Sequence, residues 1–158
     1  MVDMDLSQPP FTLLDDRGRE RVVRGVDLLY FSRDEIILDA GQPGEFVYVI
    51  HNGEVAELDP HAPSDQAYIA HYTAGDLFGA ISILNGASRY RFKAEQESLC
   101  YAMPKVLFER LCDDYPTFAE FFRRGLVQKT RLLAERRAEN GMTMAGFMLA
   151  RVLSLIHI

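Results

Sequence analysis

The chain has 158 residues, 48% of them hydrophobic and 25% charged, with a formal net charge of −6. That is room for one domain of about 100–150 residues with a real core, which excludes wholesale disorder. The acidic balance argues against a nucleic-acid partner, whose docking surfaces are basic on at least one face.

The first residues, Met1-Val2-Asp3-Met4-Asp5, are acidic and lack an apolar core segment. No secretory signal is expected there, and the expected location is cytoplasmic. Residues 9–30 open on Pro9-Pro10-Phe11 and read as one or two short helices. From Glu35 the pattern turns to strands: Glu35 to Leu38, a turn through Gly41-Gln42-Pro43-Gly44, then Phe46 to His51. Asn52-Gly53 between two β-rich runs predicts a hairpin with a type I′ turn, which needs positive φ at both central residues. Its return strand is Glu54 to Leu58. The polar loop Asp59 to Gln66 carries Pro60 and Pro63 and reads as an exposed hairpin end.

A strand over Ala67 to Tyr72 leads into the run Gly75-Asp76-Leu77-Phe78-Gly79-Ala80-Ile81-Ser82-Ile83-Leu84-Asn85-Gly86-Ala87-Ser88-Arg89. Its residue types suit an anion. Gly79 lets backbone approach a ligand where a Cβ would collide, and Ala80 to Leu84 offers the free N–H groups of a helix start. Arg89, past the Asn85-Gly86 turn, adds a planar donor fork. The plainer alternative is a hairpin-like connection ending in a solvated arginine. Extended strands follow at Tyr90 to Ala94 and Ser98 to Met103. In the first of these Arg89, Arg91 and Lys93 share one face, a solvated strand edge in the simplest view, while Tyr90, Phe92 and Ala94 share the other. Short strands with turn signals about every ten residues predict a sandwich, jelly roll or small barrel.

The chain becomes helical after Pro104, which suits a first helical position. A second helix is expected from near Pro116 to Glu139, with Phe118, Phe121, Phe122, Leu126 and Leu133 in one stripe. That stripe packs either on the β body or in a dimer seam. Asn140-Gly141 ends it. Residues 142–158 are almost wholly apolar but are interrupted by Arg151 and His157, and fall short of the roughly 20 residues of a membrane span. A second copy or a following domain is expected to cover them.

No catalytic constellation stands out. His51, His61, His71 and His157 are scattered, with only His61 in an obviously exposed loop, and no metalloprotease, P-loop or nucleophile-elbow motif occurs. Cys100 and Cys112 have neither CxxC spacing nor a nearby histidine, so buried free thiols are expected in place of zinc or a disulfide framework. The expectation is a non-enzyme without metal or cofactor.

The order of elements, with Gly41, Tyr48-Val49-Ile50, Gly53-Glu54-Val55, Gly75-Asp76-Leu77-Phe78-Gly79 and Arg89, resembles the cyclic-nucleotide-binding domain over about residues 9 to 122. The resemblance implies an α+β fold: an antiparallel β jelly roll with short N-terminal helices and C-terminal helices, spanning 1–139. Residues 140–158 are then an apolar tail or the entry to a following domain. It implies a phosphate-binding cassette at Phe78, Gly79, Ala80, Ile81, Ser88, Arg89, Tyr90 and Arg91, a ligand such as cyclic AMP or cyclic GMP, and a homodimer or further domains of the same chain as partners. Pro9-Pro10-Phe11, Leu99 to Pro104, and Pro116 to Phe122 resemble the version found as an N-terminal sensor in bacterial signal-transduction proteins, ahead of a CBS pair and a nucleotidyltransferase-type region.

Four residues depart from the family pattern. Ala80 stands where the family has a glutamate that accepts from the ribose 2′-hydroxyl. Tyr90-Arg91 stands where small residues let the phosphate approach, and Asp34 stands where a glycine commonly precedes Glu35. Either the pocket is remodelled for a different or more anionic ligand, or the domain is a ligand-free interaction module.

Overall fold

The computed structural model describes residues 4–125. Residues up to Ala119 form one compact unit, and Glu120 begins a second. A 3-10 turn (Phe11–Leu13) precedes helix α1 (Asp16–Gly25), followed by strands β1 (Asp27–Phe31), β2 (Ile36–Leu38), β3 (Phe46–Asn52), β4 (Val55–Leu58), β5 (Tyr68–Tyr72) and β6 (Leu77–Phe78). Then come α2 (Ala80–Asn85), β7 (Arg91–Ala94), β8 (Ser98–Pro104) and α3 (Lys105–Asp114). Residues 116–125 are helical, and in the second unit Glu120 accepts from Arg124 at 3.3 Å.

The strands form two antiparallel four-stranded sheets, ordered β1-β8-β3-β6 and β2-β7-β4-β5. This is the expected jelly roll. Alternation places Ile50 and Cys100 of the first sheet in one cluster with Val55, Phe92 and Ala94 of the second, so the inner faces share a core. Burial pushes the Cys100 thiol up to about 12, which leaves it protonated and unreactive. Cys112 is half-buried, less enclosed than expected. Helix α1 starts on Asp15, whose carboxylate accepts from the Gly18 N–H at 2.8 Å. The same carboxylate accepts from the Tyr115 hydroxyl at 2.6 Å, and Arg21 reaches Asp114 at 2.8 Å, so α1 is tied to the end of α3.

Several sequence expectations are corrected. The helical reading of residues 9–30 holds to Gly25, but Asp27–Phe31 is a strand, paired with β8 from Asp27↔Ala102 to Phe31↔Ser98. Its partner lies far along the chain, beyond the reach of a local pattern. Asn52-Gly53 does not close a hairpin: β3 pairs with β8 and β6, whereas β4 pairs with β5 and β7. Gly53 has φ +119°, but Asn52 is not in the positive-φ region, so the type I′ turn is replaced by a corner between sheets. Pro104 precedes the first turn of α3 as its cap, with ψ 145°, rather than opening it. His61 lies in an exposed loop as expected, while His51 on β3 and His71 on β5 are exposed from strands. Of the expected stripe, Phe118 is fully buried, with its ring 6.1 Å from Phe108, whereas Phe121 is exposed. Leu126, Leu133, the expected end at Glu139 and the 139/140 boundary lie outside the described residues.

Asp34 is the one non-glycine residue with positive φ, +69°, among the described residues. Its N–H donates to the Ala94 carbonyl at 2.7 Å, which holds the strained turn against β7. Left-handed backbone costs an L-residue about 1–2 kcal/mol, and glycine's larger unfolded-state freedom returns about 0.5–1 of that. Asp34→Gly is therefore expected to stabilise by about 0.5–1 kcal/mol, read as a higher urea midpoint. A lower midpoint would contradict the strain.

Candidate functional site

The run from Phe78 to Arg91 links the two sheets. Phe78 ends β6 and is buried. Its ring stacks on Tyr48 of β3 at 4.9 Å and on Phe92 of β7 at 5.1 Å, so the aromatic contacts fix where the next residues emerge. Gly79 then takes φ +94° and caps α2. A Cβ there would sit 2.8 Å from the Phe46 carbonyl oxygen, a backbone atom that has little room to retreat. The Ser82 hydroxyl donates back to the Gly79 carbonyl at 2.6 Å, pinning the first turn. Ala80 is buried and Ile81 half-buried in that turn, whose leading N–H groups lack intrahelical partners.

Gly79→Ala is expected to destabilise by about 2–3 kcal/mol, because it adds left-handed strain to a backbone clash. A thermal melt unchanged within about 0.5 kcal/mol would show that the turn does not need glycine.

After α2, Gly86 at φ +88° stops the helix. Ser88 is buried, and its hydroxyl donates to the Tyr90 carbonyl at 2.7 Å. The β2–β3 loop brackets this segment at both ends. The Gly41 N–H donates to the Ser88 carbonyl at 2.7 Å, and the Ser88 N–H donates to the Gln42 carbonyl at 2.8 Å. At the other end Gly44 lies so close to α2 that a Cβ would meet the Ile83 nitrogen at 2.6 Å.

The three cations of the next stretch have different surroundings. Arg91 donates from Nε to Asp39 Oδ1 at 2.8 Å, and that bond, followed by the Ala40 N–H, holds the Asp39 carboxyl below its usual range. Lys93 lies 3.8 Å from an Asp34 carboxylate oxygen. Arg89 is exposed and forms no ion pair among the described residues. The simple picture of a solvated strand edge is corrected: β7 lies inside its sheet, between β2 and β4, and Arg91 and Lys93 answer carboxylates around β2. Tyr90 is buried, sharing its side of the strand with Phe92 and Ala94 as the alternation predicts. Its ring therefore contributes to the core.

The predicted residues thus divide. Phe78 and Tyr90 are packed, Gly79 to Ile81 form a tight helix start, Ser88 fastens the loop, Arg91 is engaged by Asp39, and Arg89 alone of the arginines here faces solvent unpaired. Two features went unread in the sequence. Asp39 lies 52 residues from Arg91, with no local signal to join them. Glu57 was legible in principle, since alternation puts it on the same side of β4 as Val55. It is 3% exposed and accepts from the Tyr72 hydroxyl at 2.8 Å. Burial first, then the Glu57 charge, pushes the Tyr72 pKa far up, so Tyr72 acts as a donor. Among the described residues no cluster of three His, Cys, Asp or Glu could hold a metal, and no helix is long and apolar enough to cross a membrane.

Comparison with known proteins gives this geometry a lineage. The chain is 24% identical over 102 residues to a cAMP-dependent protein kinase regulatory subunit of Candida albicans, covering 64% of this chain and 21% of that protein. Over 126 residues it is 25% identical to the corresponding subunit of Hypocrea atroviridis, covering 79% and 24%. The chain thus spans about a fifth to a quarter of these curated relatives. In fold it is similar to the catabolite activator protein of Thermus thermophilus, with TM-score 0.68 at 20% identity over 80% of this chain and 60% of that one. It is also similar to the regulatory subunit of a cAMP-independent protein kinase A from Trypanosoma brucei, with TM-score 0.66 at 19% identity over 76% and 42%. The family model of the cyclic nucleotide-binding domain matches residues 28–115, more than half of the chain and the whole stretch from β2 through α3, and the chain belongs to that family.

Proposed function

We propose that this domain is a regulatory sensor that holds a cyclic nucleotide, or a related phosphorylated ligand, at the start of α2 and at Arg89. The observation that carries this reading is Arg89 itself. It lies within the span matched to the family, is exposed, and is unpaired among the described residues, while Arg91 and Lys93 already have carboxylates. An anionic phosphate satisfies it with a bidentate fork. The domain binds and transmits rather than catalyses, and α3 with the helix after it carries the change, as a two-state shift would require.

Ala80 supplies no acceptor for a ribose hydroxyl, and Arg91 occupies the position of a small family residue, so recognition beyond the phosphate differs from the usual cassette. The same two residues favour the second reading, a ligand-free module for dimerisation. The similarity to a kinase subunit described as cAMP-independent is compatible with either. As part of the proposal, the domain works in the cytoplasm, pairs with a second copy or with further domains, and precedes a CBS pair. The flanking runs Pro9 to Phe11 and Pro116 to Phe122 support that last assignment.

Amide shifts recorded during titration with cyclic AMP and cyclic GMP test the reading. The expected changes centre on residues 79–91, and a spectrum unmoved by either nucleotide favours the ligand-free module.

A further inference from the structure

An edge strand presents unpaired N–H and C=O groups that any further strand can take up, and folded proteins guard such edges with short strands, bulges or charge. Among the described residues the two sheets have four edges: β1, β6, β2 and β5. Three of them are guarded. β6 has two residues, β2 has three and a register shift against β7, and β5 has a register shift against β4. β1 differs, since its pairing with β8 runs over all five residues without a shift. Alternation turns Leu29 and Phe31 toward the shared core and leaves Leu28 and Tyr30 on the other face, 49% and 55% exposed.

The residues of β1 are ordered so as to complement themselves. If β1 of a second copy lies antiparallel beside it about a two-fold axis at Leu29, Leu28 stands opposite the partner's Tyr30, and Tyr30 opposite the partner's Leu28. Both apolar pairs then fall on one face. The charges follow the same symmetry. Asp27 opens the strand and Arg33 lies two residues past its end; both are exposed, and neither forms an ion pair among the described residues. The axis sets Asp27 opposite the partner's Phe31, and so diagonal to the partner's Arg33, within reach of a long side chain. Parallel pairing in register would instead set like charges side by side.

We propose that β1 is the surface through which two copies of this domain associate, joining their sheets edge to edge about a two-fold axis at Leu29. The inference rests on the pairing with a second copy proposed above, for which it supplies the surface, and it is independent of nucleotide binding. A five-residue strand buries less than the roughly 1,200–2,000 Å² of a stable interface, so the association is weak and reversible.

Sedimentation equilibrium of the full chain from about 1 μM to about 1 mM tests it, with thermal midpoints recorded for each variant. The expected result is a reversible monomer–dimer equilibrium. Tyr30→Lys should weaken it by at least about tenfold and, at an exposed position, leave the midpoint unchanged. Asp27→Arg alone and Arg33→Asp alone should each weaken it by at least about threefold, since each sets like charges across the axis. An equimolar mixture of those two variants should recover the lost affinity, because every charge then faces its opposite. Local damage to β1 gives no such recovery, so the mixture still decides should Tyr30→Lys lower the midpoint. Association that survives Tyr30→Lys and both charge reversals would overturn β1 as the interface and leave pairing through another surface intact. A monomer over the whole range would overturn both.

Discussion

Phe78→Ala is expected to cost about 3–5 kcal/mol of folding stability, the usual range for removing a buried aromatic ring. The ring is 4% exposed and touches both layers of the roll. It stacks at 17° on Tyr48 and at 20° on Phe92, and Tyr72 lies at a tilt beside it. Truncation leaves a void that neither sheet can close alone, and it also removes stacking worth about 0.5–1.5 kcal/mol per aromatic pair beyond the area buried. Since small domains are stable by only about 5–15 kcal/mol, the loss is a large share of the total. Urea unfolding should show the midpoint falling with the slope unchanged, and Phe78→Leu should recover part of the loss. A cost under about 1 kcal/mol would mean that this ring does not join the sheets.

Arg89→Ala is expected to behave in the opposite way. The side chain is exposed and unpaired among the described residues, so stability should stay within about 0.5 kcal/mol. Nucleotide affinity should fall by at least about a hundredfold, because a bidentate pair comprises two charge-assisted bonds, each worth about 1.5–3 kcal/mol. Arg89→Lys should recover only part of it, since an ammonium restores the charge but not the fork. A stability loss without an affinity loss would make Arg89 a structural residue.

The contrast between these residues shows what a one-dimensional pattern carries. Gly79 and the short helix after it were legible because a left-handed turn into a helix start needs those residue types in consecutive order, and the arginine beyond them was picked out by the family pattern. The strands β3, β5, β7 and β8 were legible from alternation, and the family resemblance supplied the jelly roll that joins them. What failed depended on distant partners. Asn52-Gly53 has the residue types of a hairpin turn, but β8 claims β3 and β7 claims β4, so tertiary pairing overrides the local preference. Asp27–Phe31 became a strand for the same reason. At the site, the same family pattern that marked Arg91 as oversized could not show that Asp39 engages it. Asp34 was noted only as a departure from glycine; its positive φ gives that departure a physical cost.

The central claim is that the segment from Gly79 to Arg89 holds a phosphate. Calorimetric titration of the chain and of Arg89→Ala with cyclic GMP and cyclic AMP tests it most directly. A saturable heat for at least one nucleotide, lost in Arg89→Ala while the two proteins melt alike, is the predicted result. No heat from either nucleotide at concentrations of about 1 mM, where binding weaker than about −4 kcal/mol goes unseen, and no difference between the two proteins, would contradict it.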